Sequence, residues 1–165
     1  MDFIQTDGKN YEVNQPLSHM IWLQPSEHKK QEYIVLRLYS PKSEKILLDF
    51  NPLKLSDEPD WNPSWEEWHC YQAPLRIFRQ DYELLTHYFN QIYPIKDAFN
   101  GTPESVFDVV NDNWIGKNDW LKIISEIEKD LDIFSDDKKT FFTGFLEWLK
   151  EALNYTSIIV VEGNL

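Results

Sequence analysis

The stretch SIIVVE at residues 157–162 places four β-branched apolar residues in a row between two polar ones. Successive side chains of a strand point to opposite faces of its sheet, so an unbroken apolar run is typical of a strand buried on both sides. A strand of this kind belongs in the interior of a sheet. The sequence therefore predicts that this segment inserts into a sheet formed by earlier parts of the chain.

The other strand-like segments lie mostly in the first third of the sequence. Residues 33–39 and 46–50 are rich in β-branched, aromatic and aliphatic side chains, and the turn-like residues 40–43 lie between them. This pattern predicts an antiparallel hairpin. Apolar runs at 19–23 and 106–110 predict two further strands, and the proline- and tryptophan-rich segment 53–74 predicts an irregular connection.

Three segments have apolar residues at the spacing that marks one face of a helix. The first ends before Pro94, whose ring cannot continue a helix. The second begins at Asn118 and the third at Ser135, both common N-cap residues. The apolar faces are formed by Phe78, Tyr82, Leu85, Phe89 and Ile92, by Trp120, Ile123, Ile124, Ile127 and Leu131, and by Phe142, Phe145, Leu146, Leu149 and Leu153. We expect one α+β domain over residues 1–165, with a mostly antiparallel sheet of N-terminal strands plus a C-terminal strand packed against two or three helices.

The composition is that of a folded, acidic protein. Of 165 residues, 42% are hydrophobic and 15% aromatic, and the net charge is -12. This apolar content excludes a disordered chain, and the charge is opposite to that of proteins that neutralise phosphates. The first residues lack the basic and apolar regions of a secretion signal, and Cys70 is the only cysteine. We therefore expect a cytoplasmic protein that contacts neither membranes nor nucleic acid directly.

No motif in the sequence indicates catalysis. The phosphate-binding patterns GxGxxG and GxxxxGK[ST] and the nucleophile pattern GxSxG are absent, and the four histidines lack the HxxxH spacing of a metal site. His69 and Cys70 are adjacent in sequence and so are poorly placed to act on each other. Carboxylate pairs such as Asp108 and Asp112 lack a companion histidine or lysine. We expect a non-enzymatic protein without catalytic residues, metal or cofactor.

The negative charge is concentrated in two segments, which we call the first and second acidic blocks. Residues 49–70 have a net charge of -5 and residues 104–137 a net charge of -7, whereas the rest of the chain is balanced. One interpretation is a solvated surface that favours solubility. Solubility does not require clustering, however, and clustered charge steers oppositely charged partners. The sharper hypothesis is that the two blocks form one surface that binds a basic protein.

The first acidic block also contains Trp61, Trp65 and Trp68. Aromatic anchors ringed by charged residues are typical of protein-binding surfaces, although the same tryptophans could pack over the core. Alternatively, with Tyr71, they could line a pocket for a carbohydrate or another small ligand, or for a weak hydrolase. The predicted partner-binding residues are Asp57, Glu58, Asp60, Trp61, Trp65, Glu66, Glu67, Asp108, Asp112, Asp119, Glu126 and Asp130.

Three segments of the sequence resemble small bacterial toxin-immunity proteins of contact-dependent inhibition and other polymorphic-toxin systems. These segments are DNWIGKNDW at 112–120, FLEWLKEAL at 145–153 and IIVVEGN at 158–164. The resemblance carries no motif with assigned functional residues. It implies a cytoplasmic, single-domain protein that binds a basic toxin domain, a nuclease, and blocks its active site. Immunity proteins have many folds, so the resemblance implies no particular architecture.

Overall fold

The computed structural model describes residues 2–6, 9–13, 22–23, 31–56 and 69–165. The strands are β1 (Asp2–Thr6), β2 (Lys9–Val13), β3 (Ile34–Leu36), β4 (Leu47–Pro52), β5 (Leu75–Phe78), β6 (Ile95–Lys96), β7 (Pro103–Glu104), β8 (Asp112–Gly116) and β9 (Ile158–Gly163). The α-helices are α1 (Arg79–Ile92), α2 (Lys117–Asp130) and α3 (Asp136–Ala152), and a 3₁₀ turn covers Leu131–Ile133.

Five of these strands form the main sheet, in the order β3-β5-β4-β9-β8. Neighbouring strands are antiparallel except for β3 and β5, which run parallel. Strands β1 with β2 and β6 with β7 form two further antiparallel sheets of two strands each. The expected α+β class with a mostly antiparallel sheet and a C-terminal strand is confirmed.

Strand β9 occupies the predicted interior position, between β4 and β8. Its side chains Ile159 and Val161 enter the same core as the helices, whereas Ile158 and Val160 enter a smaller cluster with Leu53 on the other side of the sheet. All four of these β9 residues are at most 1% exposed. The unbroken apolar run is therefore explained by burial on both faces, as the sequence predicts.

The helices cover one face of the sheet and form the main core with it. Phe50 of β4 packs against Phe145 of α3 at a ring-centroid distance of 5.6 Å and against Trp120 of α2 at 6.1 Å. The predicted apolar faces of the three helices are largely buried in this core. Helix α1 ends at Ile92, because Tyr93 precedes Pro94 and adopts the extended conformation that a following proline favours.

The predicted hairpin of residues 33–39 with 46–50 is wrong, because β5 lies between β3 and β4. Strand β5 begins at Leu75, directly after the segment predicted to be irregular, and Phe78, assigned to the helix, is the last residue of this strand. Beyond β3 the chain leaves the sheet, since the backbone N–H groups of Leu38, Tyr39 and Ser40 donate hydrogen bonds to the carboxylate of Asp81. These hydrogen bonds use backbone N–H groups that strand pairing in a hairpin would otherwise need.

The predicted strand at 106–110 is also wrong, because these residues form a loop and β8 begins at Asp112. Asp108 Oδ1 accepts hydrogen bonds from the backbone N–H groups of Val110 and Asn111, which closes a turn. The loop lies directly against β9, where a Cβ atom on Gly163 would overlap the carbonyl group of Val109. The hydrogen bonds accepted by the Asp108 side chain thus form a turn where the valines predict a strand.

The predicted helix starts have different outcomes. Ser135 is the N-cap residue of α3, as expected, although its side chain makes no capping hydrogen bond. Asn118 is not the N-cap of α2, which begins at Lys117 after Gly116. The Lys117 N–H donates to the Ser157 carbonyl oxygen at 2.8 Å, so tertiary contact rather than a capping side chain fixes this helix start.

Of the predicted strand at 19–23, only Trp22 and Leu23 belong to the described residues. Trp22 forms an isolated antiparallel bridge with Tyr71.

Within the described part of the chain, no helix combines the length and apolar character needed to span a bilayer.

The fully buried Asp81 provides a test of the connection after β3. We expect Asp81→Ala to lower the free energy of unfolding by about 3 kcal/mol, because three backbone N–H groups lose a charged acceptor. Urea unfolding measures this difference. The control is Glu83→Ala on the exposed side of the same helix, for which we expect less than about 0.5 kcal/mol. Equal effects would contradict the role assigned to Asp81.

Candidate functional site

The face of the sheet opposite the helices carries a row of charged side chains, which we call the charged row. The strand register aligns Arg76 of β5 with Asp49 of β4, Asp49 with Glu162 of β9, and Glu162 with Asp112 of β8. Directly paired residues point to the same face of a sheet. The row therefore places one cation and three carboxylates side by side across four strands.

At one end of the row, Asp49 and Arg76 form an ion pair with two hydrogen bonds. Arg76 Nε lies 2.8 Å from Asp49 Oδ1, and Nη2 lies 2.9 Å from Oδ2. The guanidinium also stacks on the ring of Tyr33 at 4.1 Å. Burial raises the pKa of Asp49 despite this cation, and the hydrogen bond to Asp49 raises the pKa of Arg76. The Asp49 side chain is 10% exposed and the Arg76 side chain 29%. The deeper burial of Asp49 agrees with burial being the main cause of its pKa shift, whereas the hydrogen bond is the main cause for Arg76.

In the middle of the row, Glu162 Oε1 has two polar neighbours. His69 Nε2 and Asn51 Nδ2 each lie 3.0 Å from this oxygen. A carboxylate only accepts hydrogen bonds, so both nitrogens act as donors. Asn51 is fully buried, and its Oδ1 atom has no hydrogen-bond partner among the described residues. The middle of the row therefore contains a buried acceptor that the described side chains leave unsatisfied.

At the other end, Asp112 lies on the edge strand β8, directly opposite Glu162. Partial burial raises the pKa of Asp112, the charge of Glu162 raises it further, and His69 opposes this effect. Among the described residues, no Lys, Arg or His nitrogen forms an ion pair with this carboxylate. Like charges directly opposite one another across two strands are destabilising. Asp112 and Glu162 thus form an incompletely compensated pair.

All the predicted residues of the first acidic block lie outside the described residues, namely Asp57, Glu58, Asp60, Trp61, Trp65, Glu66, Glu67 and Trp68. On either side of them, Leu55 packs with Ile158 and Val160, and His69 contacts Glu162. The chain therefore enters and leaves this segment on the face of the charged row. Tyr71 is buried against Trp22 and Trp148, so its ring is not available as a stacking platform for a ligand.

The predicted residues of the second block are divided between different parts of the fold. Asp112 belongs to the charged row, and Asp108 closes the loop before β8. The other three lie on α2, which packs on the opposite face of the sheet: Asp119 pairs with Lys122, Glu126 pairs with Lys129, and Asp130 accepts a hydrogen bond from Tyr88. The structure therefore brings Asp112, but not the α2 carboxylates, to the face of the charged row.

The sequence analysis missed Asp49, Asn51, Arg76 and Glu162 as site residues. A signal was present, because Asp49 and Glu162 interrupt strongly apolar strands. Their alignment, however, depends on strand order and register. The row offers oxygen acceptors for a cation or a hydrogen-bond donor, but no group of three or more His, Cys, Asp or Glu in the described part of the chain could hold a metal ion.

Comparison of the chain with models of protein families, with curated proteins and with solved structures gave no match. The chemistry of the charged row and of the acidic surface is therefore the basis of the functional proposal.

The Asp49–Arg76 pair can be tested by removing the cation alone. We expect Arg76→Met to lower the free energy of unfolding by about 3 kcal/mol at pH 7, because a buried carboxylate loses its counter-charge. Without Arg76 the folded-state pKa of Asp49 lies further above its ordinary value of 3.8, so protonation favours the folded state. The loss should shrink as the pH falls through that raised pKa, as chemical unfolding at several pH values would measure.

The matched control replaces both members of the pair. In Asp49→Leu combined with Arg76→Met both charges of this pair are removed together, so most of the stability at pH 7 should return. A single variant whose loss does not change with pH, or a double variant as unstable as the single one, would contradict this electrostatic explanation.

Proposed function

We propose that this protein is a non-enzymatic, cytoplasmic immunity protein that binds a basic toxin domain, a nuclease, and covers its active site. The observation that supports this most is the Asp112–Glu162 pair, two carboxylates side by side at the edge of the sheet, of which Glu162 has His69 as a neighbour and Asp112 forms no ion pair with the described residues. A cationic protein surface would supply the missing charge. The carboxylates would then occupy positions that the toxin offers to nucleic-acid phosphates.

The first acidic block adds to the same surface in this proposal. Its described neighbours Leu55 and His69 lie on the face of the charged row. Its carboxylates would extend the negative field, and Trp61 and Trp65 would provide apolar contact at the centre of the interface. Asp108, Asp119, Glu126 and Asp130 stay in the predicted binding set. The local partners of the α2 carboxylates favour a smaller contribution from that helix.

Growth rescue tests the proposed activity. Co-expression with a panel of basic nuclease toxin domains should restore growth of bacteria that produce one of them, and the purified protein should inhibit that nuclease in vitro. A catalytically inactive toxin variant should still bind, because the protein covers the site and does not alter the toxin chemically. Failure to protect against every basic toxin, combined with binding of a carbohydrate or another small ligand, would overturn the proposal.

Association kinetics test the role of charge. Reversal to lysine at Asp57, Asp60, Glu66 and Glu67 should lower the association rate constant with that toxin by about tenfold or more at low salt, with a smaller change in dissociation. Added salt should lower the association rate constant of the unmodified protein strongly and that of the variant weakly. Stopped-flow fluorescence at several ionic strengths measures both effects.

The control for this variant has the same net charge but reversals elsewhere. It carries lysine at four exposed carboxylates outside both acidic blocks, Glu32, Glu83, Glu147 and Glu151. If the two variants bind equally fast, overall charge rather than the first block governs association, and this block is not part of the interface.

A further inference from the structure

The loop between β6 and β7 contains Asn100 and Gly101, the only asparagine in the sequence that is followed by glycine. Both residues are exposed, and Gly101 has a positive φ of 75°. Beyond its chain neighbours, no atom lies within 4 Å of the place where a side chain at position 101 would begin. Glycine itself has no Cβ atom, so the Gly101 backbone nitrogen is open to solvent and to the preceding side chain.

A hydrogen bond within this loop prepares the Asn100 side-chain amide for attack by that nitrogen. Asn100 Oδ1 accepts a hydrogen bond from the Thr102 N–H at 2.9 Å. If the Gly101 nitrogen adds to Asn100 Cγ, negative charge develops on this same oxygen. A donor that already points at the oxygen stabilises such charge. Bond formation between these two atoms closes a ring that consists of the Gly101 nitrogen and four carbon atoms of Asn100.

Asp97 restrains the same loop. Its carbonyl oxygen accepts from the Gly101 N–H at 2.9 Å, and its Oδ1 atom accepts from the N–H groups of Phe99 and Asn100 at 2.8 and 3.0 Å. The Gly101 nitrogen must lose its proton before it can attack, so the first of these bonds opposes the reaction. Ring closure therefore requires brief local opening of the loop, and the bonds to Asp97 limit how often this happens.

We propose that Asn100 is a site of spontaneous modification, namely deamidation through a cyclic imide, and that Asp97 restrains it. Hydroxide removes the Gly101 amide proton, and the nitrogen forms a bond to Asn100 Cγ. The bond from Cγ to Nδ2 then breaks, and the leaving nitrogen takes protons from water and departs as ammonia. A water molecule opens the imide at either of its carbonyl carbons, which gives aspartate or isoaspartate. Water is the only reagent consumed, and the inference does not depend on the proposed function.

The modification would change the loop that lies against the edge strand β8. The Ala98 N–H donates to the Trp114 carbonyl oxygen at 3.0 Å, and the rings of Phe99 and Trp114 pack at a centroid distance of 5.6 Å. Either product adds a negative charge to the loop, and isoaspartate also lengthens its backbone by one atom. We therefore expect the amide signals of Ala98 and Trp114 in an NMR spectrum to differ between fresh and modified protein.

The experiment follows every asparagine of the full-length protein during incubation at mildly alkaline pH in water enriched in ¹⁸O. Peptide mapping by tandem mass spectrometry should find the heavy oxygen at position 100 before any other asparagine has reacted. Isoaspartate should form there as well as aspartate, since direct hydrolysis of the side chain gives aspartate alone. Asn111 is an internal comparison, because it is also exposed in a loop but is followed by Asp112, whose side chain hinders ring closure.

Three variants test the assigned roles. Asp97→Ala should raise the rate at Asn100 by about fivefold or more, because the loop loses two hydrogen bonds and opens more often. The rate at Asn111 should stay the same in this variant, which excludes general unfolding as the cause. Asp132→Ala, the same substitution at an exposed residue of the 3₁₀ turn, should leave the rate at Asn100 unchanged. Asn100→Gln should abolish the reaction at this position, since its longer side chain would have to close a larger ring.

The result that supports the proposal is early formation of isoaspartate at position 100, faster in Asp97→Ala and unchanged in Asp132→Ala. An Asn100 that stays intact while another asparagine reacts, or that yields aspartate without isoaspartate, would overturn the modification site. Equal rates in Asp97→Ala and Asp132→Ala would overturn the restraint assigned to Asp97.

Discussion

The burial of β9 on both faces is the constraint on which the described fold depends. Its apolar side chains belong to two clusters, one on the face covered by the helices and one on the opposite face. The strand also lies between β4 and β8 and pairs with both. A slip of one residue would move Glu162 into the main core and Val161 out of it, because side chains alternate along a strand. The packing that fixes the register therefore also fixes Glu162 between Asp49 and Asp112.

Local patterns were sufficient to predict the elements that carry their own signal. The periodic helical faces and the unbroken apolar run of β9 each lie within one segment, and the structure has these elements where the sequence indicates. The position of β5 is different, since its parallel pairing with β3 joins segments that are 41 residues apart in the Ile34–Leu75 pair. The bonds from residues 38–40 to Asp81 are equally remote in sequence. No local pattern distinguishes that arrangement from a hairpin.

The candidate site was predictable only in part, for a related reason. Counting charges along the chain identified the block that contains Asp112. Such a count cannot show which charged residues from separate strands lie next to each other in a sheet. Three carboxylates from separate segments become neighbours in the charged row, whereas Asp119 and Glu126 on α2 have lysines three residues further along. That helical spacing is visible in the sequence and could have reduced the weight given to α2. The register that brings Glu162 to Asp112 is not visible there.

The two ends of the charged row differ in how far the fold itself compensates their carboxylates. Asp49 is buried, and the fold supplies Arg76 to it, which avoids most of the cost of an isolated charge. Asp112 is at the edge, where solvent makes repulsion by Glu162 tolerable but does not remove it. A cation that binds there gains attraction from both carboxylates and relieves their mutual repulsion. Any ligand that binds only the folded protein stabilises it by an amount that grows with the logarithm of the ligand concentration above its dissociation constant.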